Sequence, residues 1–558
     1  MGRVPISGRI GERLAGVKYF WLTCLSLIAA AVLKICLLLN DSIPFNADEA
    51  IVALMARHIL NGERPLFFYG QAYMGSLDAW LISAGFAIFG AQVWVIRFVQ
   101  LFLYTLLLAS TTWLGSLVFG SWKTGMVAVW LLAIPTVNVT LYTTASLGGY
   151  GEALLVGNLI LITGLLILER IEPGEIAPIF LWFIFGGLIG LGFWITGLTI
   201  VYSLPMLIYM GLSGWRCWYK NPVMPIHWKK LVLSGLAATL GAIAGSAPWW
   251  IFAFKQGVGN PLMELSGSAI AGVEGLSWIS QIGQHLLNFL LLGISVSIGI
   301  RPPWGIQWLV LPALPFIIFF WIFVLVFGFK PSGARPRSHP RGLLIGVMLT
   351  TIAGFILTPF GADPSGRYFL PLAVPLALLA ADFLLALSRR AGTWAWVLAS
   401  FVILYNLVGT MQTATRMPPG ITTQFNPITQ IDQRQTAQLI TFLRENDERY
   451  GYTNYWVSYP LAFLSQESIV FIPALPYHQD FRYTDRDNRY QPYDIEVAHS
   501  NKVAYITTNH PALDEILRVR FKQTGVAWKE QRIGDYQVFY SLSKPVRPEE
   551  IGLSHTSK

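Results

Sequence analysis

From residue 19 to residue 411 the chain is a succession of long apolar runs separated by short polar breaks. About 20 residues of α-helix cross about 30 Å of hydrocarbon, so each run is read as a candidate membrane helix. The runs cover residues 19–40, 72–90, 93–119, 122–143, 153–170, 178–212, 231–254, 280–299, 306–329, 342–360, 368–388 and 393–411. Gln281, Gln284, His285 and Asn288 interrupt one of them, which marks 280–299 as interfacial or partly inserted. After Thr410 the texture changes to mixed polar sequence with period-two stretches. Ser468 to Ile472, Lys502 to Thr507 and Tyr536 to Leu542 predict strands, and Gln435 to Asn446 and Pro511 to Gln523 predict amphipathic helices. The pattern predicts a mainly α, polytopic membrane protein, with a transmembrane domain over 1–411 and a small α/β domain over 412–558.

Positive charge orients the runs. The N-terminus with Arg3, Arg9, Arg13 and Lys18, the stretch Arg216 to Lys230, the run Lys330 to Arg341, and the pair Arg389-Arg390 all read as cytoplasmic. With these constraints about 11 runs span, residues 41–71 form the first outward loop, and 412–558 lie on the outer side of the cell (plasma or inner) membrane. The first run is too long for a signal-peptide core and no small-residue cleavage site follows it, so it is expected to stay as an uncleaved span. Two arrangements stay open. Either 72–90 spans and 178–212 is one long helix, or 72–90 lies near the outer surface and 178–212 is a hairpin turning near Trp194. The choice decides which side Gly148 to Glu152 faces.

Composition agrees with the membrane reading, since the 558 residues are 54% hydrophobic and only 12% charged. The net charge of +9 comes from residues 1–411, with 23 basic and 14 acidic side chains, against 16 of each beyond. These cations lie between apolar runs and form no stripe, which excludes a nucleic-acid partner. Cys24, Cys36 and Cys217 are too scattered to suggest a local disulfide or a metal site. Gly186, Gly187, Gly190 and Gly192, set among apolar residues, suggest close helix packing and not a nucleotide loop.

The strongest local signal for chemistry is Asn46-Ala47-Asp48-Glu49-Ala50, followed by an amphipathic helix through Ile51, Leu54, Met55, His58 and Ile59. A carboxylate at a helix start just outside the membrane is stabilised as an anion and can accept a proton from a hydroxyl. The plainer reading makes Asp48 the helix cap. Downstream come Tyr69-Gly70-Gln71-Ala72-Tyr73-Met74-Gly75-Ser76-Leu77-Asp78-Ala79-Trp80, an apolar run ending in Phe89-Gly90, and Arg97. Tyr69, Gln71 and Tyr73 are candidates to stack on or hydrogen-bond a sugar, though Tyr at an interface is also an ordinary belt residue. Asp78 is an acid among apolar residues and so a candidate for the site. His58 and His285 read as structural residues before metal ligands.

In this order of features the chain resembles the GT-C type membrane glycosyltransferases, in particular the branch of the protein O-mannosyltransferases and lipid A aminoarabinose transferases. Ala56-Arg57 and Gly366-Arg367-Tyr368-Phe369-Leu370-Pro371 extend the resemblance, which covers roughly residues 15–411. It implies a polyprenyl-phosphate-linked sugar donor and transfer with inversion to a hydroxyl of a lipid, glycan or protein acceptor on the outer face. Asp48 would be the catalytic base and Glu49 its support. Arg367, with Tyr368 beside it, would meet the negative charge that grows on the lipid phosphate. Gly148-Gly149-Tyr150-Gly151-Glu152 loosely resembles the second acidic motif of oligosaccharyltransferase catalytic subunits. That makes Glu152 a candidate substrate or divalent-metal ligand, although a hard cation needs several oxygen ligands. The rival class is a transporter or lipid flippase with an outer binding domain. Transporters usually carry midplane charges and related halves. Here most acids sit at run ends, Asp382 excepted, and no halves are apparent.

Overall fold

The computed structural model describes residues 6–171, 177–220, 228–264, 277–329, 340–363, 365–416, 419–484 and 486–553. Arg3, the run Lys330 to His339 and residues 221–227 of the Arg216 to Lys230 stretch lie outside the described residues. The membrane part opens with α1 (Ile6–Leu39), α2 (Ala47–Leu60), the hairpin β1 (Phe67–Phe68) and β2 (Gln71–Gly75), α3 (Leu77–Phe89), α4 (Val93–Phe119), α5 (Trp122–Ala133), α6 (Val137–Tyr142) and α7 (Tyr150–Ile171). It continues with α8 (Ile179–Ile195), α9 (Ile200–Lys220), α10 (Trp228–Gly245), α11 (Ala247–Gln256), α12 (Gly259–Met263), α13 (Trp278–Asn288) and α14 (Ile294–Ser297). The last four helices of this part are α15 (Leu314–Phe329), α16 (Arg341–Leu357), α17 (Ala373–Ala391) and α18 (Trp394–Ala414). Among the described residues eight helices are long and apolar enough to cross a membrane, or nine if α10 and α11, bent by 62°, count as one span. The chain is a multi-pass membrane protein.

The hairpin arrangement of residues 178–212 is the one observed. α8 ends at Ile195, and α9 starts at Ile200 after a single turn. The Trp194 indole donates to the Leu66 carbonyl at 2.8 Å, and Thr196 pairs with Met74 in β2. Apolar run 72–90 is thereby shortened to the 13 residues of α3, because Gln71 to Gly75 are taken up as a strand. Ser146 hydrogen-bonds both Glu49 and Asp78, so the loop leading to Glu152 lies on the Asp48 side of the membrane. α13 hydrogen-bonds to the end of α16 and the turn that follows it, through His285 to the Ile356 carbonyl at 3.1 Å and Asn288 to the Gly361 carbonyl at 2.9 Å.

Glycine explains the tightest seam. Gly186 and Gly190 of α8 face Ala238 and Ala242 of α10, while Gly241 and Gly245 face Phe183 and Gly187, and a Cβ at any of the four glycines would collide with a backbone carbonyl. In lipid, such small-residue stripes bring helices together by van der Waals packing.

The C-terminal region adds α19 (Thr436–Glu445), β3 (Tyr450–Thr453), α20 (Tyr455–Leu464), β4 (Val470–Pro473), α21 (Pro492–Ala498), β5 (Ala504–Thr508), α22 (Pro511–Gln523), β6 (Lys529–Ile533) and β7 (Tyr536–Tyr540). Its sheet runs β4-β3-β5-β7-β6, parallel across β4, β3 and β5 and antiparallel across β5, β7 and β6. The three expected strands and two expected helices are present; β3, β6, α20 and α21 are elements the sequence pattern does not predict. This region shares one hydrophobic core with α2 and α3, in which Phe463 and Tyr459 pack with Ile51, Met55 and Phe86. In the seam between α8 and α10, Gly190→Leu should cost at least about 2 kcal/mol by overpacking. Thermal unfolding of the purified protein checks this, and an unchanged midpoint would contradict the seam.

Candidate active site

Asp48 occupies the first turn of α2 but does not cap it. Asn46 is the cap: its side chain accepts from the Glu49 amide at 3.1 Å and donates to Thr423 Oγ1 at 2.8 Å. The capping alternative thus passes to a neighbour, and the Asp48 carboxylate is left for another partner. That partner is Tyr455, at the start of α20, whose phenol donates to Asp48 Oδ1 at 2.5 Å. The helix that follows is also not amphipathic in its setting, since Ile51 to Ala56 are at most 2% exposed and covered on both faces.

Glu49 points into the protein. It is fully buried, forms an ion pair with the buried Arg97 of α4, and accepts from the Ser146 amide at 3.4 Å. Asp78 accepts from the Ala79 amide at 2.8 Å and Ser146 Oγ at 3.3 Å, and Glu152 accepts from Gln100 at 3.3 Å with its second oxygen unpartnered. Nearby, Lys34 of α1 donates to the Thr143 carbonyl and to the hydroxyls of Thr143 and Thr144, all within 2.8 Å, which holds the loop between α6 and α7 in place. These groups do not fit a divalent cation: Glu49 is already neutralised, and Asp78 with Glu152 supplies too few oxygens. Among the described residues no three His, Cys, Asp or Glu side chains converge for a metal.

Charged and aromatic groups converge between the Asp48 end of α2 and the start of α17. Arg367 pairs with Asp363, its guanidinium stands 5.1 Å from the Tyr368 ring, and Asn138 fixes the preceding turn by donating to the Gly366 carbonyl at 3.0 Å. Gly366 has φ +94°, and a Cβ there would press on Asn138, so the turn that presents Arg367 requires glycine. Tyr73 lies within electrostatic reach of both Arg367 and Arg489, and Tyr142 within reach of Arg367 and Asp48. Arg489 comes from the C-terminal region and donates to the Gln71 amide oxygen at 2.8 and 3.0 Å, with its Nε unpartnered. Beside this cluster an apolar cavity of about 270 Å³ lies between α9 and α16, lined by Tyr73, Tyr150, Leu198, Thr351, Phe355 and Tyr368.

Of the expected site residues, Asp48, Gln71, Tyr73, Arg367 and Tyr368 belong to this cluster. Glu49, Asp78 and Glu152 form the buried acidic group behind it. Tyr69 lies elsewhere, in a clasp between α2 and the C-terminal region. There His58 meets Tyr69 and Glu467, each at 2.9 Å; Tyr69 and Tyr490 donate to Glu63 at 2.6 and 2.7 Å; and Tyr493 donates to Glu467 at 2.7 Å. Burial opposes the Glu467 charge, but the hydrogen bonds from His58 and Tyr493 and the charges of His58 and Arg57 outweigh it and hold the carboxyl at about 2. Tyr455 and Arg489 were missed from sequence. Arg489 lies in the stretch Tyr477 to Tyr493, whose mixture of Tyr, Asp, Arg and His suits a glycan or peptide acceptor and is equally the composition of any exposed loop, while Tyr455 opens a buried helix the sequence pattern does not predict.

No protein-family model matches the sequence, and no curated protein matches it significantly. Solved structures do match in fold. ArnT from Cupriavidus metallidurans in the apo state aligns with TM-score 0.56 over 94% of this chain and 98% of that one at 12% identity. The same protein bound to undecaprenyl phosphate aligns with TM-score 0.54 over 93% and 97%, also at 12%. The Archaeoglobus fulgidus oligosaccharyltransferase in complex with Zn and sulfate aligns with TM-score 0.50 over 86% and 67% at 15%. The fold is that of the GT-C type.

Two outcomes follow from the buried pair and the clasp. Glu49→Ala or Arg97→Ala alone should cost about 3–5 kcal/mol by stranding a buried charge, and the double variant less than the sum of the two; additive losses in thermal unfolding would contradict the pairing. Glu467 has a depressed carboxyl, so its contribution to docking is present above the ordinary glutamate value of 4.5 and is lost as pH falls from there toward about 2. Protease sensitivity between α18 and α19 should rise over that window, and Glu467→Gln should blunt the rise.

Proposed function

We propose that this chain is an inverting glycosyltransferase that moves a sugar from a polyprenyl-phosphate-linked donor to an acceptor hydroxyl on the outer face of the membrane. The observation that carries the reading is an apolar cavity between α9 and α16 whose lining residues Tyr73 and Tyr368 lie beside the Arg367 guanidinium, with the Asp48 carboxylate within electrostatic reach of the same cluster. A donor that cannot leave the bilayer needs a slot for its chain and a cation at the slot's mouth. Tyr368 and Tyr73 line the slot, Arg367 stands over Tyr368, and Tyr73 lies within electrostatic reach of Arg367. The GT-C fold, shared with a protein solved with undecaprenyl phosphate, supports the same choice of donor.

The chemistry follows from charge. The acceptor hydroxyl gives its proton to Asp48 while its oxygen forms a bond to the anomeric carbon from the face opposite the phosphate. The bond between that carbon and the lipid-phosphate oxygen breaks, and the electron pair leaves with the phosphate. The charge that develops there meets Arg367, already oriented by Asp363 and therefore needing little rearrangement. Attack from one face and departure from the other inverts the anomeric centre. Glu49, in this reading, fixes α2 against α4 through Arg97 and so places Asp48. Gln71, Tyr73 and Tyr368 border the substrates, and Asp78 and Glu152 support the loop from α6 to α7.

The transporter alternative loses its one sequence feature. Asp382, in the middle of α17, pairs with Arg341 at the start of α16, whose guanidinium lies against the Phe119 and Phe327 rings, so this acid is neutralised by a neighbouring helix. Asp48→Asn should insert and fold normally yet lower product formation at least about a hundredfold, as loss of a general base does. Mass spectrometry of lipid extracts from cells carrying each form reads the product, and full product with Asp48→Asn would remove the base from the mechanism.

A further inference from the structure

Asp48 gets little help from its own helix. Asn46 has taken the cap and Glu49 is committed to Arg97. Among the described residues the side chain that hydrogen-bonds Asp48 is Tyr455, 407 positions later in the chain. We propose that Tyr455 is a positioning residue for the transfer reaction: its phenol grips Asp48 by Oδ1 and leaves Oδ2 aimed at the acceptor hydroxyl. This rests on the reading of Asp48 as base.

The phenol is itself well held. Asn454 caps α20 by accepting from the Trp456 amide at 3.0 Å and is anchored to β5 by donating to Thr508 Oγ1 at 2.9 Å. The Tyr455 ring packs edge-on against Trp456 and Tyr459, at 5.2 and 5.6 Å, and Arg489 stands 5.7 Å from it. Arg489 is in turn held by Gln71, so one continuous chain of contacts runs from β2 through Arg489 and Tyr455 back to Asp48. Burial first, and then the Asp48 charge, push the Tyr455 phenol well above the ordinary tyrosine range. It therefore remains a hydrogen-bond donor and does not compete as a base. In the reaction the acceptor proton passes to Asp48 Oδ2, and the phenol keeps its own.

A carboxylate free to turn samples several rotamers, of which few face the acceptor, and a misplacement of about 1 Å costs large factors in rate. Tyr455 removes that freedom. The C-terminal region is then part of the catalytic apparatus, and a chain whose C-terminal region is undocked is slow even with both substrates bound. The other charged groups around the pair are Arg489 and Asp487 from the C-terminal region and Arg367 and Asp363 from the membrane part. None of them is altered by removing the phenol oxygen.

The test uses the full chain in native membranes, which supply both substrates, and compares Tyr455→Phe, 3-fluorotyrosine at position 455, and Asp48→Asn. Initial rates of product formation are followed by lipid mass spectrometry from about pH 4 to about pH 9. Tyr455→Phe should lower the rate about tenfold and move the acid limb of the profile to higher pH, because the carboxylate loses a donor to its charged form. The fluorinated phenol keeps the shape and donates more strongly, so it should move the acid limb to lower pH with the rate within about threefold of the parent. A purely structural role would lower the amount of active protein and leave the limb in place for both substitutions, and that result overturns the proposal. If Asp48→Asn is inactive while Tyr455→Phe matches the parent in rate and limb, the positioning role alone falls. If Asp48→Asn is fully active, the base assignment falls and the proposal with it.

Discussion

The structure depends on the burial of one short helix from both sides. α2 has apolar residues around nearly its whole circumference, and neither the membrane bundle nor the C-terminal region can cover it alone. With α3 and α4 on one side and α20 on the other, its residues from Ile51 to Ala56 are removed from water almost completely. At about 25 cal/mol per Å² such burial is a large stabilising term, and it is available only when the two parts dock. The docking presses the first turn of α2, with Asp48, against Tyr455. The same contact that stabilises the assembly sets the geometry of the candidate base.

Around that contact the polar groups divide by depth. The ion pair of Glu49 and Arg97 is buried and gains from low dielectric only because each charge has its partner. Lys34 ties the loop between α6 and α7 to α1 through three short hydrogen bonds. These groups form a rigid floor. Above it, Asp48, Arg367 and Arg489 cluster about Tyr73 and Tyr142, with the apolar slot on one side and the C-terminal region on the other. A lipid-anchored donor and a water-side acceptor, arriving from these two directions, would meet between a carboxylate and a guanidinium.

Much of this was legible in the sequence, and the reasons for the rest are physical. Long apolar runs report helices directly, because nothing else satisfies the backbone in lipid, and the GT-C resemblance rested on Asp48, Glu49, Arg97 and Arg367 in an order the fold keeps. The strand Gln71 to Gly75 hid at the head of an apolar run, since its pairing with Phe67 and Thr196 is set by tertiary contacts. The same pairing decides that residues 178–212 turn back near Trp194, which periodicity could not settle. Asn46 displaced Asp48 as cap because two good capping residues stood two positions apart, and Thr423 favoured the first. Tyr455 carries no local signal, and Arg489 only the mixed polar composition of its loop. Their significance lies in a contact across hundreds of residues, and only the fold reveals it.

The central claim is that a lipid phosphate sits at the mouth of the slot between α9 and α16, beside Arg367 and on the side that faces Asp48. Cryo-electron microscopy of the full chain in nanodiscs containing undecaprenyl phosphate tests it most directly. The account predicts lipid density along Leu198, Thr351 and Phe355 with its phosphate within ion-pair reach of Arg367. A phosphate bound away from Arg367, or a slot without density at saturating lipid, would contradict it.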